Sequence, residues 1–191
     1  MSPDDRRAAL IEATIPLIRR HGAAVTTRQI ADAAGVAEGT IFRVFDDKAT
    51  LIREAVAAAL DPREVEERLA AVDLTLPLAS RVLAAVEIIQ QRLTSVFELL
   101  TTMEMSRPPG DDDPRRPQRP THTRLMQILT DLIEPDRDAL RCEPVEVARL
   151  LRVLTFTGTH PAINDGHILT AEQIVSLLLD GVRHHPGVTS C

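Results

Sequence analysis

Residues 26–48 read TTRQIADAAGVAEGTIFRVFDDK, and this stretch decides the fold. Thr26 is a helix-capping residue, and Gln29, three positions on, can reach back to its N–H. Ile30 and Ala31 are expected to face inward, and Ala34 to end the helix. Gly35 supplies the positive φ of a tight turn. Val36 anchors that turn, and Ile41 and Phe45 form the inward face of a second short helix over 38–45. Two short helices joined steeply by a glycine turn make a helix-turn-helix. The small Ala31 lets them approach, and the apolar side chains at 30, 36, 41 and 45 fix their angle. The second helix then presents Glu38, Gly39, Thr40, Arg43 and Val44 outward, where they can enter a DNA major groove.

Outward from this stretch the sequence reads as helix. Pro3 to Arg20 places Leu10, Ile11, Ile15, Leu17 and Ile18 mostly at helical spacing. His21-Gly22 ends that helix, with Gly22 where a left-handed cap is wanted. Residues 47–60 form another helix, capped by Asp46 or Asp47. Pro62 can sit in the first turn of a helix through Val72. From Pro77 to Met105 an apolar stripe runs through Val82, Val86, Ile89, Leu93, Val96, Leu100 and Met103, and it is widened by neighbours such as Phe97. A stripe that broad packs against several neighbours or lines a cavity. Helical patterns return at 121–134, 143–159 and 170–185, the last opened by the capping box of Thr170 and Gln173. The expected architecture is all-α with about nine helices. It comprises a helix-turn-helix domain over 1–47 and a larger helical domain over 48–191.

Composition narrows the function. The 191 residues include four Phe, no Tyr and no Trp, so a base-stacking surface for single strands is nearly excluded. No apolar run approaches the roughly 20 residues that span a bilayer. The first 20 residues interleave charge with apolar side chains and show no signal peptide, so the expected location is the cytoplasm, away from the membrane. The net charge is −6, but residues 1–60 carry eight basic and eight acidic side chains. The acidic excess therefore belongs to the rest of the chain, which should repel phosphate while the N-terminal third need not. Residues 106–121, SRPPGDDDPRRPQRPT, hold five of the 13 prolines and read as a mobile loop. The two cysteines, Cys142 and Cys191, make neither a disulfide framework nor a metal site, and a buried reduced thiol is expected at 142.

From Arg6 through residue 55, by way of T-T-R-Q-I-A-D-A-A-G-V, G-T-I-F-R-V-F and D-K-x-x-L-I, the chain closely resembles the DNA-binding domain of the tetracycline-repressor (TetR) family of bacterial regulators. The resemblance implies a homodimer that binds a palindromic double-stranded operator. It also implies a larger domain that holds a small-molecule effector whose binding releases DNA. By position, Thr27 and Arg28 match phosphate contacts, Thr40 and Phe42 backbone contacts, and Glu38, Gly39, Arg43 and Val44 groove-facing positions. Lys48, the only lysine among 22 basic residues, matches a phosphate contact. The chemistry agrees for several of these. Arg43 is long enough to fork onto guanine O6 and N7, and Arg28 and Lys48 can neutralise phosphates. Glu38 can accept from a cytosine amino group, or hold Arg43 or another basic side chain in place. Three positions depart from the family pattern. Phe42 lacks the usual tyrosine hydroxyl, Ala37 stands where Ser or Thr often caps the recognition helix, and Val44 replaces a more usual His or Tyr.

The larger domain carries two expectations. Val147, Leu150, Leu151 and Leu154, with Ile174, Leu177, Leu178 and Val182, form stripes that can pair two subunits through four helices. Leu93, Phe97, Leu100, Met103, Met126, Leu129 and Phe156 are candidate lining for an effector cavity, with an apolar, aliphatic effector favoured by the shortage of aromatics. His160, Asn164, Asp165 and His167 read as a turn between the last two helices rather than a metal site. No catalytic motif is present: there is no G-x-S-x-G, H-E-x-x-H or glycine-rich phosphate loop, so no enzyme activity and no cofactor is expected. The reading is a DNA-binding regulator, acting as a repressor. The alternative is a helical interaction and ligand-binding module whose DNA-binding motif no longer reads a specific site.

Overall fold

Helix-forming sequence punctuated by caps and glycines yields nine α-helices and two 3-10 segments, with no strand, among the residues that the computed structural model describes, 2–105 and 120–183. The side chains of 120–122 are not part of that description. The expected loop over 106–121 lies outside it except where Pro120 opens a helix, and Cys191 and His184-His185 lie outside it entirely. The helices are α1 Pro3–His21, α2 Thr27–Ala34, α3 Glu38–Val44, α4 Lys48–Ala59, α5 Arg63–Ala70, α6 Leu78–Thr102, α7 Pro120–Ile133, α8 Pro144–Thr159 and α9 Ala171–Val182.

The chain forms two compact units. One comprises Met1–Asp61 with Val96–Arg115, the other Pro62–Ser95 with Arg116–Cys191. Leu51, Ala55 and Val56 on α4 are buried in the same cluster as Leu10, Ile18, Ile30, Ile41 and Phe45, so α4 is part of the first unit's core. Leu99 from the last turns of α6 joins that cluster.

Local signals explain most boundaries in the first unit. Ser2 and Asp5 form a capping box at the start of α1. Thr26 and Gln29 do the same for α2, with the Gln29 backbone N–H donating to Thr26 Oγ1 at 3.2 Å and the Thr26 N–H donating to Gln29 Oε1 at 2.8 Å. Asp47 caps α4 by accepting from Thr50 N at 2.6 Å. Gly22 has positive φ as expected, but with φ 56° and ψ −142° it is not a left-handed cap. It opens the 3-10 segment Gly22–Ala24 instead. A Cβ there would strike the backbone carbonyl of Thr102, so close approach as well as conformation demands glycine.

The second unit has one core, built from Val65 and Leu69 on α5, the inner face of α6 from Leu78 to Ile89, and the inner faces of α7, α8 and α9. Arg81 is buried and forms an ion pair with Asp136, while also donating to the carbonyl of Leu74 at 2.7 Å. Gln90 donates to Leu169 O at 2.9 Å and so ties α6 to the segment before α9. Asn164 donates to the carbonyls of Thr157 and His160, which closes the turn expected there. Cys142 is buried, but it is disulfide-bonded rather than the reduced thiol expected.

Candidate nucleic-acid interface

The first unit shows how a short sequence builds a helix-turn-helix. α2 ends on Gly35 at φ 66° and ψ 33°, the left-handed conformation that turns the chain without a Cβ clash. The Val36 N–H then donates to Ala31 O at 3.0 Å and closes the turn. Ile30, Ala31, Ile41 and Phe45 are all buried, as their spacing predicts. Their burial fixes α3 against α1 and α2 by apolar contact, and it leaves the other side of this seven-residue helix facing solvent.

Arg28, Glu38, Gly39, Phe42 and Arg43 are exposed, and Phe42 retains 55% of its accessible surface. Thr27, Thr40, Val44 and Lys48 are half-buried. Arg28 and Arg43 have no ion-pair partner among the described residues, so both guanidinium groups present their donors to solvent. Two exposed arginines without an ion-pair partner among the described residues, on a helix-turn-helix, can neutralise the phosphates of a polyanion.

Three side chains make contacts within the protein that the sequence does not announce. Glu38 does not pair with Arg43; its carboxylate accepts from the Thr27 hydroxyl, linking the starts of α2 and α3. Thr27 therefore positions Glu38 in the unbound protein. Val44 is partly packed against the core, since it lies at the last turn of α3 where the helix meets its neighbours. Lys48 donates from Nζ to Ala23 O at 3.2 Å, which holds its ammonium at the start of α4. Ala37 precedes α3 without any side-chain bond to the helix N-terminus, as the sequence implies.

Arg7 on α1 is a positioning residue that sequence reasoning missed. Its Nη1 donates to Val44 O at 3.0 Å and its Nε to Glu54 Oε2 at 3.1 Å. Its guanidinium lies 4.3 Å from the centroid of the Phe45 ring. One side chain thus connects α1, the end of α3 and α4. Its partners are 37 to 47 residues away in sequence, so no local pattern announces it.

The candidate residues in the larger unit divide. Val147, Leu151, Ile174, Leu178 and Val182 are core residues, because these faces of α8 and α9 close over the interior. Leu150 and Leu177 are exposed, at 42% and 59%, with Leu154 half-buried beside them. Of the expected effector contacts, Leu129 is sealed in the core and Phe156 is exposed, its ring 5.6 Å from that of His160. Leu93 and Met126 pack partly buried against the core. Phe97, Leu100 and Met103 belong to the first unit, where Met103 borders a surface hollow. Among the described residues, no helix is long and apolar enough to cross a membrane.

Comparison with known proteins adds to this geometry. The family model described as "Bacterial regulatory proteins, tetR family" matches residues 10–55. The fold is similar to that of NalD, the secondary repressor of the MexAB-OprM multidrug efflux pump in Pseudomonas aeruginosa. That match has 25% identity and a TM-score of 0.54, covering 95% of this chain and 98% of that one. It is also similar to a TetR-family transcriptional regulator of Haemophilus influenzae, at 19% identity and a TM-score of 0.54, covering 95% and 98% of the two chains. A tetR-family regulator from Streptomyces coelicolor matches at 19% identity and a TM-score of 0.58, over 94% of this chain and 80% of that one.

Proposed function

We propose, from the match of the tetR family model to residues 10–55 and the likeness to NalD, that the chain is a TetR-family regulator that represses transcription by binding a palindromic operator as a homodimer. The observation that carries this reading is the outer face of the helix-turn-helix, where Arg28 and Arg43 stand exposed with no ion-pair partner among the described residues. Arg43 on α3 reads a base edge, best a guanine, through its paired donors. Arg28 and Lys48 set the register on phosphates, and Thr40 and Phe42 pack along the backbone. Glu38 and Gly39 face the groove, with Val44 at its margin. Arg7 holds the C-terminal end of α3 so that Arg43 is presented at a fixed angle.

Two such heads require a dimer. Leu150, Leu154 and Leu177 form the outer apolar faces of α8 and α9, and they supply a subunit contact without unpacking the core. The effector is a small apolar molecule taken up in the larger unit, with Leu93 and Met126 as its best-placed contacts.

Fluorescence anisotropy on DNA upstream of the coding sequence, across a salt series, tests the reading. The wild type should bind that DNA far more tightly than a scrambled duplex. Arg43→Ala should relax the preference by roughly 1–3 kcal/mol, and Lys48→Ala should lower the salt slope by about one. Equal binding to every duplex would instead support a helical module whose motif no longer reads a site.

A further inference from the structure

The first unit contains a hollow that the operator reading does not use. Its volume is about 730 Å³, within the range that holds small organic ligands. Ile52 and Val56 of α4 form one wall, and Met103 and Met105, at and just beyond the end of α6, form the other. Methionine side chains are flexible and polarisable, so such a wall adapts to a chain of methylenes. Among the described residues, Lys48 and Arg53 also line the hollow, with one carboxylate, Asp47. That carboxylate is already committed, since it accepts from Thr50 N at 2.6 Å as the cap of α4. Lys48 spends one donor on Ala23 O and has further N–H groups free to turn. The first turn of α4 adds its positive dipole end at the same place. The hollow is therefore apolar in its walls and cationic at one end.

We propose that this hollow binds a small anionic amphiphile, a carboxylate bearing a saturated chain, with the carboxylate on Lys48 and Arg53 and the chain between Ile52 and the two methionines. Lys48 is also the residue assigned to an operator phosphate, so the ligand and DNA compete for one ammonium. This places a regulatory site inside the reading head, separate from any effector held by the larger unit. The competition rests on the operator reading, whereas occupancy of the hollow does not.

The chain has four methionines, and two of them line the hollow. Met126 belongs to the other unit and serves as an internal control. Full-length protein labelled with carbon-13 at the methionine methyls is titrated with decanoate below its micellar concentration. The methyl signals are assigned by single Met→Leu variants. The Met103 and Met105 methyls should shift and saturate together while Met126 stays in place. Decylamine should bind at least about tenfold more weakly, and Ile52→Glu should lose the decanoate response with Met126 unchanged. In the anisotropy assay decanoate should weaken operator binding, and less so for Lys48→Gln relative to its own starting affinity. A shift confined to Met126, a uniform shift of all methyls, or equal binding of decylamine overturns the proposal. Saturation at Met103 and Met105 with no change in operator affinity overturns the competition. Should the protein bind no DNA at all, the methyl titration still decides the site.

Discussion

The two units of this chain differ in how far a decision about one residue depends on distant ones. In the first, nearly every choice is local. The Thr26–Gln29 box, the Gly35 turn and the burial of Ile30, Ala31, Ile41 and Phe45 lie within 20 residues, and each was legible from type and spacing. In the second, long helices carry apolar residues on more than one side. Periodicity states which residues share a face but not which face is covered. Leu177 and Leu178 are adjacent and chemically identical; one is 59% exposed and the other 2%. Only the packing of α6, α7 and α8 decides between them, and that information is not local.

The strongest way to break this comparison is to substitute those two leucines. Leu178→Asp buries an unpaired carboxylate in the core and should cost about 4 kcal/mol or more, or prevent folding outright. Leu177→Asp should change the stability of the monomer by no more than about 0.5 kcal/mol, yet move the protein from dimer to monomer in sedimentation velocity. Chemical denaturation and sedimentation of both variants check this. Equal loss of stability in the two would mean that the inner and outer faces of α9 are wrongly assigned.

A smaller effect separates Gly22 and Gly35, the two described glycines of the first unit with positive φ. Both have positive φ, but Gly35 has open space where a Cβ would stand, and Gly22 faces the Thr102 carbonyl. Gly35→Ala should cost about 1 kcal/mol for the left-handed conformation alone. Gly22→Ala adds a backbone clash and should cost more, about 2–3 kcal/mol. Thermal or urea denaturation ranks them. The sequence made Gly22 visible as a helix end; the reason for its strictness came from a residue 80 positions away. Arg7 was illegible for the same reason, because its value lies in joining Val44, Phe45 and Glu54 across three helices.

The helix caps sharpen the local half of the comparison. Thr26→Ala removes one member of a reciprocal pair and should destabilise by about 1 kcal/mol. Ala37→Ser supplies the cap that α3 lacks and should stabilise by up to about 1 kcal/mol. If α3 is loose without its cap, Ala37→Ser should also tighten operator binding, read in the anisotropy assay. A variant that is more stable but binds DNA no better would mean that Arg7 and the Phe45 packing already hold α3 in its reading position.

The smallest effect is a pH dependence. The Thr50 backbone N–H, with the Thr50 side chain as second cause, holds the Asp47 carboxyl below its ordinary value. The sign follows from the depressed folded value. The capping contribution is complete above the ordinary aspartate range and is lost as pH falls through the lower folded value, where protonation removes the charge at the start of α4. Asp47→Asn keeps an oxygen that can cap but has no charge to lose. At neutral pH the wild type should be slightly more stable than this variant, and the difference should shrink to nothing on acidification. Melting curves of the pair at neutral and strongly acidic pH measure it. Because Asp47 also lines the hollow, the same variant should strengthen decanoate binding at neutral pH by removing a carboxylate from the lining that Lys48 and Arg53 share. A weakening there would mean that the cation end of the hollow depends on Asp47 to stay in place.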